Sequence, residues 1–185
     1  ERDQIVLPEV DLDFTKISRI TMVACGTAYL ACNVAKYWFE QIARIPVELD
    51  VASEFRYREP PVDTDGLAIF VSQSGETADT LAALRYCNAN HMQTLGIVNV
   101  EECTISREAS ASMQIHAGPE IGVASTKAFT CQLTVLISLV IKAAREKGII
   151  DAAREAEMIS SLLQLPSLIV DALAVEPEIK AVALE

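Results

Sequence analysis

The chain has 185 residues and a mass of 20.1 kDa, enough to bury the core of one domain with an appendage. Its formal net charge of −11 excludes a general nucleic-acid surface, which depends on clustered Lys and Arg. The most apolar stretch, Ala128 to Ile141, is interrupted by Thr130, Gln132, Thr134 and Ser138, and a bilayer span needs roughly 20 apolar residues, so no membrane segment is expected.

The stretch "ERDQIVLPEVDLDF" is acidic and has neither a basic n-region nor a small-residue cleavage site, which points to a cytoplasmic protein. Residues 1–18 read as a loose N-terminal arm. "RITMVACG" is a β-branched, apolar strand that passes at once into the helical "TAYLACNVAKYWFEQIAR". "PVELDVASEF" alternates Val47, Leu49 and Val51 with Glu48, Asp50 and Ala52 and predicts a second strand, after which "REPPVDTDG" is turn chemistry. "LAIFVS" is a continuous apolar run of the kind buried on both faces, followed by "ETADTLAALRYCNANH" with Ala78, Leu81, Ala82 and Leu84 at helical spacing. "QTLGIVNV" predicts a fourth strand and "SMQIHAG" a short fifth.

"STKAFTCQLTVLISLVIKAAREKG" then reads as a long helix with Ser125 at its N-cap and a terminal Gly148. The apolar residues between 128 and 141 occupy more than one face of that helix, which predicts self-association. Residues 151–185 form a last helical segment, capped by Asp151 and kinked or divided at Pro166. Strands alternating with helices throughout predict an α/β domain over residues 19–150, a doubly wound five-stranded parallel sheet flanked by helices.

The cysteines Cys25, Cys32, Cys87, Cys103 and Cys131 show no CxxC spacing and no pairing with His91 or His116, so neither a disulfide framework nor a metal site is expected. There is no GxxxxGK followed by Ser or Thr, and the first strand-to-helix turn has one Gly instead of GxGxxG. No nucleotide cofactor is implied.

Ligands of parallel sheets bind outside the carboxyl ends of the strands, and three polar clusters fall at such ends: "CGTA" (25–28), "SQSGET" (72–77) and "GVAST" (122–126). Helix N-termini carry unpaired N–H donors, so hydroxyls there either cap the helix or share a bound anion. A cap uses one or two hydroxyls, whereas Ser72, Ser74 and Thr77 gather around Gly75. That surplus points to a phosphate. Lys127 could aid an anion, and Glu120 could do proton chemistry, although a solvated side chain accounts for either.

These segments, with "YWFE", "ASEFRYR" and "EIGVASTKAFTCQLTVL" in order between Val23 and Gly148, resemble the sugar isomerase (SIS) domain family, and more closely its amino-sugar-forming branch. The resemblance implies that Ser72, Gln73, Ser74 and Thr77 hold a sugar phosphate, that Cys25, Gly26 and Thr27 line the sugar, and that Val123 and Ser125 approach its reacting end. Ala28 departs from the Ser expected after "CGT". The implied reaction transfers glutamine-derived ammonia to fructose 6-phosphate and isomerises the product to glucosamine 6-phosphate. The implied partners are a glutamine amidotransferase domain, a second SIS half that carries the acid and base groups, and a second subunit in a homodimer. No catalytic residue is therefore assigned within this chain. A regulatory SIS module that senses a phosphosugar is the alternative, weakened by the lack of a basic reading helix.

Overall fold

The computed structural model describes residues 3–7, 10–122 and 125–184. Five strands, β1 (Ile20–Ala24), β2 (Val47–Val51), β3 (Leu67–Ser72), β4 (Gln93–Val98) and β5 (Ala111–Gln114), form one all-parallel sheet in the order β2-β1-β3-β4-β5. Every residue of β1 and β3 is buried, because helices cover both faces of the sheet and an apolar side chain is needed on each side. On one face α1 (Gly26–Trp38) and α5 (Lys127–Glu146) pack over Met22, Ile69, Leu95 and Ile97. On the other, α2 (Ala52–Arg58), α3 (Ala78–Ala89) and α4 (Thr104–Glu108) cover Val23, Phe70 and Val98. α1 runs on into a π-helical turn, Phe39–Ala43, that ends at Arg44 in a left-handed conformation.

Several expectations need correction. The second strand stops at Val51, and "ASEF" opens α2. Ala52 and Phe55, three positions apart, both turn into the core on a helix, which a strand would not allow. Nor is the arm loose: Val10, Leu12, Phe14 and Ile17 are buried against the α1–α5 layer. Lys147 Nζ donates to the carbonyls of Phe14 and Ile17 at 3.1 Å each, and Phe14 N–H donates to Glu146 Oε2 at 3.1 Å. The arm thus ties down the C-terminal end of α5.

Pro166 does not divide the last segment. α6 (Ala152–Leu173) continues through it, and α7 (Glu176–Ala183) begins after a turn at Ala174–Val175. The proline removes the donor to the Leu162 carbonyl, and from residue 163 the helix is exposed on all sides, so no packed neighbour has to yield where the helix adjusts to it.

By length and composition, residues 127–146 and 152–183 are each long and apolar enough to cross a bilayer, contrary to the expectation drawn from the interrupting hydroxyls. Those hydroxyls turn back onto their own helix, Thr134 Oγ1 to Thr130 O at 3.1 Å and Ser138 Oγ to Thr134 O at 2.8 Å. α5 buries its apolar face under α1 and the sheet. The largest group of exposed apolar side chains lies instead on α6 and α7, among them Leu163, Leu168, Val170, Leu173, Ile179 and Val182, so the apolar surface available for association is not on the helix expected to carry it.

Candidate functional site

The strand order reverses between β1 and β3, from which α1 and α3 leave to opposite faces of the sheet. A crevice opens at such a switch point, beyond the carboxyl ends of the two strands. Ala24 pairs with Val71 at those ends, so "CGTA" and "SQSGET" stand side by side. Together they line a depression of about 380 Å³ whose walls are Cys25, Gly26, Thr27, Ala28, Val71, Ser72, Gln73, Ser74, Thr77, Thr80 and Gln132.

On the β1 side Cys25 is the residue before α1, and its side chain makes no cap hydrogen bond. Gly26 has φ +57° with no atom within 4 Å of where a Cβ would stand; it is the left-handed backbone, not space, that favours glycine there. On the β3 side Ser72 Oγ accepts from Gly75 N–H at 3.0 Å and lies 3.1 Å from Thr77 Oγ1, while Ser74 Oγ accepts from Glu76 N–H at 3.2 Å. Thr77 precedes α3 but caps nothing with its side chain. Thr77 lines the depression with its hydroxyl shared with Ser72, and the first-turn N–H groups of α3 that follow it lack intrahelical acceptors.

A second segment holds this loop from behind. Gly75 has φ +67°, and a Cβ there would stand 2.0 Å from Cys103 Sγ and 2.7 Å from Cys103 Cβ. Ile105 N–H donates to Gly75 O at 3.1 Å, and Asn99 N–H to Gln73 O at 3.2 Å. The Glu76 carboxylate accepts from Thr104 N–H at 2.6 Å and Thr104 Oγ1 at 2.8 Å, and that backbone bond holds its pKa below the ordinary carboxylate range. Asp79 pairs with Arg56 at 2.8 Å. Both acidic side chains at the start of α3 thus have structural partners.

The third cluster behaves differently. Ser125 does not line the depression; its hydroxyl donates to Glu120 Oε2 at 3.4 Å. Thr126, not Ser125, precedes α5, and the capping group is Glu120, whose Oε2 accepts from Thr126 N–H and Ala128 N–H at 3.2 Å each. Val123 lies outside the described residues. Lys127 is not among the lining side chains and helps to lower the pKa of Glu120, behind the backbone bonds from Ala128, Thr126 and Gly122.

Because Glu120 is held below its ordinary value of 4.5, the carboxylate form is the one the fold prefers. Its stabilisation is present above that ordinary value and is lost as pH falls through the lowered one. We expect acidification below about pH 4.5 to loosen the start of α5, seen as amide shift changes at Thr126 and Ala128. Glu120→Gln should reproduce those changes at neutral pH. Unaltered amides in both experiments would show that Glu120 does not cap the helix.

Two lining residues had no signal in the cluster reading. Thr80 Oγ1 and Gln132 Oε1 are buried and have no hydrogen-bond partner among the described residues. The sequence did carry a sign of Gln132: it stands four residues from Ala128 and from Leu136, in the buried stripe of α5 where an apolar side chain is expected.

A larger hollow, about 920 Å³, lies between the arm and the α5–α6 corner and is lined by Asp3, Lys142, Arg145, Glu146 and Glu155. Its charges satisfy one another: Lys142 pairs with Glu146, Arg145 Nε lies 3.3 Å from Glu155 Oε2, and Glu155 Oε1 accepts from Ile5 N–H at 2.9 Å. These pairs tie the arm to the α5–α6 corner, which makes the hollow a structural joint. Burial pushes the thiols of Cys32 and Cys87 up to about 12, so neither is a nucleophile at neutral pH.

A family profile described as SIS domain matches residues 13–142. The chain is 58% identical over 173 residues to a glutamine–fructose-6-phosphate aminotransferase (isomerizing) of Brucella abortus, an alignment that covers 94% of this chain and 28% of the relative. It is 53% identical over 184 residues to a protein of the same name from Bradyrhizobium diazoefficiens, covering 99% of this chain and 30% of the relative. The solved C-terminal domain of glucosamine-fructose-6-phosphate aminotransferase from Francisella tularensis superposes with a TM-score of 0.88 at 39% identity, covering 91% of this chain and 48% of that structure. The chain therefore spans less than a third of the length of these curated relatives and about half of the solved domain.

Proposed function

Because the chain belongs to the SIS domain family, we propose that it is the sugar-phosphate-binding half of the isomerase unit of a glutamine–fructose-6-phosphate aminotransferase. The observation that carries this reading is the convergence of Cys25–Thr27 with Ser72–Thr77 on one depression at the switch point of the sheet. The phosphate of fructose 6-phosphate is placed at the α3 end, where Ser74 and Thr77 supply hydroxyls beside unpaired N–H groups. The sugar lies along Cys25, Gly26 and Thr27, with Gln73 beside the phosphate and Val123 and Ser125 toward the reacting end.

None of the described lining side chains is a carboxylate, imidazole or ammonium. Moving a proton between adjacent sugar carbons requires a positioned acid and base, so this half holds and orients the substrate while groups from elsewhere in the whole protein transfer the proton. A second SIS half is the natural source, since the chain covers only 48% of the solved C-terminal domain. A glutamine amidotransferase domain would supply the ammonia, and homodimerisation and a cytoplasmic location complete the reading.

The test is a calorimetric titration with glucosamine 6-phosphate and with unphosphorylated glucosamine. Hydrogen bonds to a charged group contribute roughly 1.5–3 kcal/mol, so Ser74→Ala or Thr77→Ala should weaken binding of the phosphorylated sugar about tenfold to a hundredfold. Glucosamine should bind weakly and equally to all three proteins. If both ligands bind wild type alike, or both variants match it, the hydroxyls only order the loop and the proposal fails.

A further inference from the structure

Resting on that reading, we propose that Gln132 and Thr80 are substrate-binding residues, which pair with hydroxyl groups of the sugar at the floor of the depression. Thr80 is fully buried and Gln132 is 1% exposed, yet Thr80 Oγ1 and Gln132 Oε1 find no partner among the described residues. Buried polar atoms are almost always paired, and an unpaired one forfeits its hydration without compensation. Here two such atoms, brought by different helices from opposite faces of the sheet, line the same depression. Chance burial would not be expected to collect them at one place.

Their chemistry selects the part of the ligand they face. Phosphate oxygens at neutral pH only accept hydrogen bonds, and the Ser74 and Thr77 hydroxyls with the first-turn N–H groups already serve that end. An amide and a hydroxyl each combine donor and acceptor capacity, which matches a sugar hydroxyl that does both. Gln132 belongs to α5, which packs on α1, the helix that opens with the Gly26–Ala28 wall. That places it at the sugar end. Thr80 sits three residues into the chain from Thr77, one turn behind the phosphate-facing donors. Turning the amide toward a sugar hydroxyl replaces an unsatisfied atom by a paired one, so the pairing favours the bound form specifically.

Near-isosteric apolar replacements separate this role from a structural one. Removing an unpaired polar atom should not harm the fold, so Gln132→Met and Thr80→Val should melt at or above the wild-type temperature. Each should nevertheless weaken fructose 6-phosphate binding about threefold to tenfold, the effect of one neutral hydrogen bond, and leave binding of inorganic phosphate unchanged. Wild-type affinity for fructose 6-phosphate in both variants would overturn the inference. A lower melting temperature with equal losses for fructose 6-phosphate and phosphate would also overturn it, since the two groups would then be part of the fold. Ser74→Ala measured alongside isolates the underlying proposal: if it loses affinity while Gln132→Met and Thr80→Val do not, only the inference fails. If wild type binds neither ligand, both fail together.

Discussion

Gly75→Ala is expected to abolish phosphosugar binding and to destabilise the domain by about 3 kcal/mol or more. Two costs combine. A non-glycine residue in the left-handed region costs roughly 1–2 kcal/mol, and Gly75 sits at φ +67°. The added methyl would also stand 2.0 Å from Cys103 Sγ and 3.4 Å from Val98 Cγ1, both buried in the α2–α3 layer, and overpacking a core of this kind typically costs 1–3 kcal/mol. The loop would relieve the overlap only by moving away from Cys103. That movement breaks the Ile105 N–H bond to Gly75 O and the grip of Glu76 on Thr104, the contacts that hold Ser72, Ser74 and Thr77 in place. Melting temperature should fall by about 6–12 °C for a domain of this size, and affinity for glucosamine 6-phosphate by more than a hundredfold. Adding Cys103→Gly removes the steric part and leaves the backbone part, so the double variant should recover some of the stability. A single variant that melts and binds within error of wild type would show that the loop is free to shift without consequence.

Phe14→Ala should be the most damaging change outside the site, lowering stability by about 3–5 kcal/mol. Phe14 is fully buried beside Val10, Leu12 and Ile17 in the α1–α5 layer, and its backbone accepts from Lys147 and donates to Glu146. Truncation leaves a cavity the size of a phenyl ring under that clamp. Lys147→Met should show a smaller loss, because it removes charge-assisted bonds to two carbonyls while keeping the aliphatic stem. Urea denaturation measures both. If deleting residues 1–18 leaves the midpoint where it was, the arm is an appendage after all.

The elements most legible in the sequence are those whose signal is local. Residues 20–24 and 67–72 are buried at every position and apolar at all but Thr21 and Ser72 because both faces of a parallel strand are covered, and burial writes that demand directly into consecutive residues. The excess of hydroxyls in "SQSGET" and the single Gly in "CGTA" are local too: a helix N-terminus and a left-handed turn need particular residues at particular positions. Hence the depression formed by Cys25–Ala28 and Ser72–Thr77 could be anticipated as two separate clusters.

Only the tertiary structure decided which clusters meet and which side chains lie beneath them. The β2-β1-β3-β4-β5 order sets β1 beside β3 and so fixes the switch point, and nothing in either strand's composition encodes its neighbour. Ser125 reads as a cap and as a site residue, but the loop brings Glu120 to the same N–H groups, and an ionised acceptor makes the stronger bond. The arm reads as loose because of its acidic composition, yet Val10, Leu12 and Phe14 alternate with Asp11 and Asp13, a period-2 signal that was legible, and distant partners bury them together with Ile17. Thr80 and Gln132 are the sharpest case. Thr80 is an ordinary polar residue on its own helix and Gln132 only an interruption of an apolar stripe, and their unpaired burial in a common depression is set by how α3 and α5 are held against the sheet. A sequence specifies side-chain chemistry one residue at a time, whereas the company each polar atom keeps is a property of the packed whole.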